Sequence, residues 1–341
     1  MIFDRLFHRF AIRSIMVAVT AFALAGCDSM IYEDEGDCDP HYKVRFIFDM
    51  NMKYADAFPA EVNAVTLYVI DEATGNVVLR KSESGDKVKA DGYMMDVDVA
   101  PGRYSLLAWC GEGVGTHFSV AESQHHTGLT CTLLRDHDEN GAAVIDHDLN
   151  NLYHGRMEAE TFPESEGEHI YTVPLIKDTN DVNIVLQNLS GAPLDKDDFS
   201  FSIIDANGSM DWDNSLLPDE LLTYKAFDVR SGTAGIEFPG ARDITQVSAC
   251  VASLTVARLV KGNNMLVRIY NNETGERIAS LPLIDYALLV KGRYDGKMTD
   301  QEYLDRQDKY DLVLFIDENK HWMNAEIYIN SWKIVLNDTD L

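Results

Sequence analysis

Short runs in which apolar and polar residues alternate recur from one end of this chain to the other. KVRFIFD (43–49) points Val44, Phe46 and Phe48 one way and charges the other. FSFSII (199–204) sets Phe199, Phe201 and Ile203 against serines. VTLYVI (65–70), RYSLLAW (103–109), VNIVLQ (182–187), MLVRIY (265–270) and YDLVLFI (310–316) are similarly rich in β-branched and aromatic residues. A strand places successive side chains on opposite faces, so such runs bury one face of a sheet. In RYSLLAW the pattern puts Tyr104, Leu106 and Ala108 on one face and Trp109 on the other. DEATGN (71–76), DANGS (205–209) and NNETGE (271–276) separate the runs with Asn-Gly and Thr-Gly pairs, which tolerate φ > 0 and close hairpins. Many short strands at near-regular spacing predict an all-β fold built of β-sandwiches.

Helix signals are sparse. TDQEYLDRQDK (299–309) opens with a capping box, Thr299 and Glu302, and PDELLTYKAF (218–227) offers at most a second short turn. Near the C-terminus the alternation slips: Ile327 and Ile329 share one parity, and Trp332, Ile334 and Leu336 the other. A β-bulge near Asn330-Ser331 would restore it.

A length of 341 residues suits two domains of ordinary size, and 46% hydrophobic content is enough to pack them. HIYTVPLI (169–176) reads as a closing strand, KDTND (177–181) as a turn and VNIVLQNL (182–189) as an opening strand. The expected division is an N-terminal sandwich over 42–178 and a C-terminal one over 179–341, with a weak internal repeat.

The first residues obey another logic. Arg5, Arg9 and Arg13 stand against a single Asp4, and a largely apolar run of 12 follows, SIMVAVTAFALA (14–25). A helical bilayer span needs ~20 residues, so this run is too short and reads as the apolar region of a secretory signal. It ends Leu24-Ala25-Gly26-Cys27, the pattern of a bacterial lipobox. Small residues admit the peptidase, and the Cys27 thiol takes a diacylglycerol before cleavage leaves it as the new N-terminus. Residues 1–26 are therefore expected to be a lipoprotein signal peptide, Cys27 the residue carrying palmitate-type chains, and 27–41 an acidic tether. At ~0.8 kcal/mol per buried CH₂ one acyl chain binds marginally and two or more hold stably. The lipid bilayer is thus an expected partner through these chains. The expected location is the outer membrane, with the acidic stretch after Cys27 favouring the cell surface. A formal charge of −27 repels polyanions, so nucleic acid is not an expected partner.

Motifs that carry chemistry are few. HExxH, a Walker loop and a GxSxG elbow are all absent, and neither an enzyme activity nor a cofactor is expected. GEGVGT (111–116) lies among strands and reads as a mobile loop. Six of the ten histidines (His117, His125, His126, His137, His147 and His154) cluster without thiols or carboxylates at metal-ligand spacing, and read as solvated loop residues. In DHDENGAAVIDHD (136–148), Asp136, Asp138, Asn140 and Gly141 match the first, third, fifth and sixth positions of a calcium loop. His147 then stands where the bidentate Glu belongs, so this is a weak calcium candidate within an acidic surface loop. Export permits disulfides, and Cys110 and Cys131, both in strand-like runs, are the preferred pair.

FDMNMKYADAFPAEVNAVTLYVID (48–71), APGRYSLLAWCG (100–111), NLYHG (151–155) and AEIYINSWKIVL (325–336) combine with the lipobox into an ordered set. In it the chain resembles the fimbrial anchor family of Bacteroidales, the FimB-type fimbrillin-associated anchor lipoproteins. One departure is Ser331, where a Gly before the Trp is the usual form. The resemblance implies two tandem transthyretin-like, immunoglobulin-type β-sandwiches after the signal peptide. It also implies a non-enzymatic role as the lipidated base subunit of a surface fimbria, anchoring the fibre and limiting its length, with a fimbrial stalk subunit as partner. Only Cys27 carries over as a site residue. KVRFIF (43–48) is then expected to remain as the first strand of its own sandwich. The run 329–341, or the surface around it, is expected to contact the first stalk subunit. The alternative is a surface lipoprotein that binds glycans or nutrients for an outer-membrane transporter, which an exposed platform of Trp109, Trp212, Trp322 or Trp332 would favour.

Overall fold

The computed structural model describes residues 39–188, 190–236, 245–294, 296–329 and 332–335. The expected signal peptide, Cys27 and the tether as far as residue 38 lie outside these residues. The first half contributes β1 (Pro40–Ile47), β2 (Ala64–Asp71), β3 (Val77–Ser84), β4 (Met95–Val97), β5 (Gly102–Cys110) and β6 (Phe118–Val120). It continues with β7 (Cys131–Leu133), β8 (Asp136–His137), β9 (Ala143–Ile145), β10 (Tyr153–Phe162) and β11 (Gly167–Lys177). The second half contributes β12 (Thr179–Asn188), β13 (Phe199–Asp205), β14 (Ser209–Met210), β15 (Leu222–Lys225), β16 (Asp228–Ile236) and β17 (Thr245–Ala257). The last strands are β18 (Leu266–Asn271), β19 (Arg277–Pro282), β20 (Lys309–Ile316), β21 (Trp322–Ile329) and β22 (Trp332–Val335). Three short helices accompany them: α1 (Phe58–Glu61), α2 (Leu283–Val290) and α3 (Asp300–Arg306). The fold is all-β, as the alternation predicts.

In the first half, seven strands hydrogen-bond in the order β3-β2-β5-β10-β11-β1-β4. β11 turns the sheet over on itself. Its first eight residues run parallel to β1, from Pro40↔Gly167 to Ile47↔Pro174, and its last three run antiparallel to β10. Val44 and Phe46 of β1, Met95 of β4, Leu67 of β2, Leu106 and Ala108 of β5 and Val173 of β11 share one buried cluster. The folded sheet therefore packs as a sandwich around it. The second half places its core between two six-stranded sheets, β16-β17-β12-β20-β21-β22 and β19-β18-β13-β15-β9-β8. β12 lies parallel to β20 as β1 lies parallel to β11, a pairing the two halves share.

β2 and β5 bury both faces. Val65, Leu67 and Val69 enter the first core while Tyr68 and Ile70 enter the second, and on β5 Leu106 and Ala108 oppose Leu107 and Trp109. That double burial is why VTLYVI and SLLAW are almost continuously apolar. Hydrogen bonding in the segment 118–145 reaches both halves: Val77 donates to the Gln124 carbonyl and His126 to that of Gly75, while β7 pairs with β14 and β9 runs parallel to β15.

Four local expectations are corrected. PDELLTYKAF holds no helix; Leu222–Lys225 is a strand, with Leu222 and Tyr224 buried at period two. The slip near residue 330 is a reversal rather than a bulge, because β21 and β22 pair antiparallel with Ile329 opposite Trp332. GEGVGT forms a packed turn in which the N–H groups of Thr116, His117 and Phe118 all donate to the Gly113 carbonyl. A Cβ on Gly111, at φ +100°, would meet the Asn151 carbonyl oxygen at 2.3 Å. Finally, β1 begins at Pro40, two residues inside the expected tether.

Candidate functional site

Three features stand out: the first strand, the last strand and the joint between the halves. β1 is held on both edges. Tyr42, Val44 and Phe46 point into the first core, and the strand is flanked on both sides, parallel by β11 and antiparallel by β4. Lys43 pairs with Glu168 across the parallel ladder at 2.5 Å, and the Tyr42 hydroxyl donates to the Pro163 carbonyl at 2.6 Å. Among the described residues, β22 is the outermost strand of its sheet, with one ladder, to β21.

Between the ends, Asp178 is the single residue linking β11 to β12, and it is wholly buried. Its Oδ1 accepts from Asn214 Nδ2 at 2.9 Å and lies 3.6 Å from Arg258 Nε. Arg258 in turn donates to Asp305 of α3 through Nε and Nη2, at 2.9–3.0 Å, and to the Asn214 carbonyl at 2.5 Å. Burial dominates the Asp178 carboxyl and pushes its pKa up to about 7 against the pull of Arg258 and Asn214. His154 of β10 lies on the first-half side of this cluster. Its Nε2 pairs with the Trp212 carbonyl at 3.0 Å and its ring meets Trp109 edge-on at 4.8 Å. Burial, helped by the nearby Arg258 and Arg156, pushes its pKa down to about 4, so it is neutral at pH 7.

A second set of contacts closes the outer side of the joint. Arg306, at the end of α3, donates to the Asp49 carbonyl at 3.0 Å and covers the Tyr54 ring at 4.3 Å. Lys177 donates to Asp308 at 3.1 Å. The helix that carries Asp305 and Arg306 is the one expected at 299–309. Thr299 accepts from the Glu302 N–H at 3.1 Å, but the Glu302 carboxylate takes Arg306 Nε at 2.9 Å, so half of the capping box forms. NLYHG serves the joint as well. Leu152 enters the second core and Tyr153 the first, and a Cβ on Gly155 would meet Leu175 at 2.5 Å, so glycine lets β10 and β11 approach. The joint combines buried ion pairs with packed rings, and leaves Asp178 Oδ2 and Asn214 Oδ1 buried without a protein partner.

Several predicted site residues are not brought together. Cys110 and Cys131 are both free and buried in different cores, so the expected disulfide is not formed. Burial raises both thiols well above their ordinary value. Asp138 spends its Oδ1 on the N–H groups of Asn140 and Ala142, both at 2.9 Å, closing the turn between β8 and β9. Asp136 pairs in that hairpin, and no group of three metal-ligating side chains occurs among the described residues. Trp109 is buried, and Trp212 carries the Arg156 guanidinium 4.5 Å above its ring, so neither presents an open aromatic face. Sequence reading missed the Asp178–Asn214–Arg258–Asp305 cluster. Its members come from a linker, a loop, a strand end and a helix, and only the polar residues of KDTND, read as a turn, hinted at it.

No helix among the described residues is long and apolar enough to cross a membrane. At 20% identity, over 95% of each chain, the sequence is similar to the minor fimbrium anchoring subunit Mfa2 of Porphyromonas gingivalis. Among solved structures it is similar to a candidate adhesin from Bacteroides thetaiotaomicron, at 30% identity and a TM-score of 0.76 over 89% of this chain and all of that one. It also shares its fold with the Mfa2 anchor of P. gingivalis, at 17% identity and a TM-score of 0.64 over 88% of this chain and all of that one. The family of fimbrillin-A associated anchor proteins Mfa1 and Mfa2 matches residues 34–338, and the chain belongs to that family.

Proposed function

We propose that this chain is the base subunit of a surface fimbria, held in the outer membrane by acyl chains on Cys27. In this reading the N-terminal sandwich, 42–178, takes the membrane side and the C-terminal sandwich, 179–341, meets the first stalk subunit. The observation that carries it, beside family membership, is the seating of β1. Eight residues in register with β11, and β4 on the other side, load many hydrogen bonds together when the N-terminus is pulled along the strand. The edge of β22, unpaired among the described residues, supplies the matching feature, since an unpaired strand edge accepts or donates a strand through main-chain hydrogen bonds. A terminal subunit that binds the fibre once and does not propagate it also limits its length.

Two variants test this. Cys27→Ala should move the protein from the membrane fraction to the soluble fraction in cells lacking the fimbrial partners; full retention of that variant with membranes sinks the lipid anchor. Deleting residues 337–341 together with Ile334→Asp and Leu336→Asp should release fibres from cells while circular dichroism shows an intact fold. Undiminished fibre retention by that folded variant rules out the C-terminal contact.

A further inference from the structure

On the outer face of the second sandwich, where β13 ends and β18 begins, lies a cavity of about 640 Å³. Its floor is the solvent side of the sheet, Ile204 and Leu266 opposite one another in the ladder, and its wall is the loop that carries Leu216, Leu217, Pro218 and Leu221. Leu221 is 66% exposed, an unusual position for a leucine with apolar neighbours on the same wall. One cation sits among them. Arg268 lies two residues along β18 from Leu266, faces Ser202 and Ser280 on the adjoining strands, and its side chain makes no ion pair or hydrogen bond among the described residues. Its Nε is buried without a protein acceptor.

The two carboxylates that line the cavity each hold a partner of their own, with Asp219 Oδ2 buried without one. Asp219 takes Arg135 at 2.8 Å, and Asp205 takes Asn263 Nδ2 on both oxygens at 3.3 Å. The wall is held in place by the same bonds, together with the Leu217 N–H donating to the Ser209 carbonyl at 2.9 Å. In a chain of net charge −27, the Arg268 guanidinium is a cation of this cleft left without a partner. Its planar fork of donors is shaped for a carboxylate, and a cleft of this volume with an apolar wall and a few placed polar groups has the form of a small-ligand site. We propose that this cavity binds a carboxylate borne on an apolar group, the carboxylate on Arg268 and the apolar part between Leu217, Leu221 and Leu266. Free fatty acids and the apolar C-terminal residue of a polypeptide both carry this chemistry. At physiological salt the Debye length is ~8 Å, so the overall negative charge does not exclude such an anion.

Titration calorimetry of the purified full chain with octanoate, N-acetyl-leucine and octan-1-ol tests the proposal. At least one carboxylate should bind saturably at millimolar concentration or tighter, and octan-1-ol at least tenfold more weakly. Arg268→Gln should weaken the carboxylate at least tenfold, Arg268→Lys should restore part of that loss, and Leu221→Ser should weaken it severalfold, with unchanged melting temperatures showing that all three fold. Preference for octanoate points to a free fatty acid, and preference for N-acetyl-leucine to a chain end. Failure of both carboxylates to saturate, or equal binding by folded Arg268→Gln, overturns it.

Discussion

At the scale of single residues, two titratable groups in the joint oppose one another. His154 has its pKa pushed down to about 4 from an ordinary 6.5, so between those values the unfolded chain binds the proton that the folded chain refuses. Its contribution to stability therefore rises with pH across that window. Asp178 has its pKa pushed up to about 7 from an ordinary 3.8, so there the folded chain holds the proton and the contribution falls as pH rises. One proton each, with opposite signs, nearly cancels between pH 4 and 6.5. Single variants should unmask the slopes, each on the order of 1 kcal/mol per pH unit. Urea unfolding of Asp178→Asn, relative to wild type, should show stability climbing from pH 4.5 to 6.5, and His154→Gln should show it falling. Parallel profiles for wild type and both variants would mean that the joint does not hold these groups as described.

At the scale of elements, β1 is the member whose attachment matters most to an anchor. Lys43 and Arg45 are trypsin sites by residue type, yet both lie inside ladders to β11, and Lys43 also pairs with β4. Lys53 and Lys89 are exposed in connecting segments. Limited digestion followed by peptide mass mapping should therefore cut at exposed sites such as Lys53 and Lys89 well before Lys43 or Arg45. First cuts at Lys43 or Arg45 would show that β1 leaves its sheet easily and could not bear load. The packing of the strand makes the same case: Phe46 is 2% exposed and stacks with Phe58 and Tyr93, so Phe46→Ala should cost about 3–5 kcal/mol in chemical denaturation.

Across the whole molecule, the two halves share more than a linker. The second core takes Tyr68, Ile70, Leu107 and Trp109 from strands whose other faces build the first core, and segment 118–145 hydrogen-bonds into the second half. Neither half can open without exposing apolar surface of the other, so unfolding should be one event. Tryptophan fluorescence and far-ultraviolet circular dichroism should trace coincident urea transitions. Two separated transitions would show independent domains. The fragment 39–178 should be unstable alone, with Trp109 uncovered, and should bind hydrophobic dyes that the intact chain does not.

Local pattern was enough for the strands and for the division of faces on β5, because period-two burial is written residue by residue and each strand reads out independently. It was enough, too, for the helix start at Thr299, whose cap is made within three residues. The helix Leu283–Val290 escaped notice because it is apolar almost all round, and a short apolar run has no period to separate helix from strand. The reversal at Ile329↔Trp332 looked like a bulge because both devices break parity in the same way, and only the partner strand distinguishes them. Cys110 and Cys131 looked like a pair because both lie in strands, but a sheet stands between two cores and each thiol faces its own. The joint was out of reach for the same reason. Asp178, Asn214, Arg258 and Asp305 are far apart in the chain, and their carboxylates and guanidinium gain meaning only when the fold buries them against each other. Sequence by itself determined the all-β class and the family; the tertiary structure alone decided which buried charges meet, because burial and distance are properties of the packed chain.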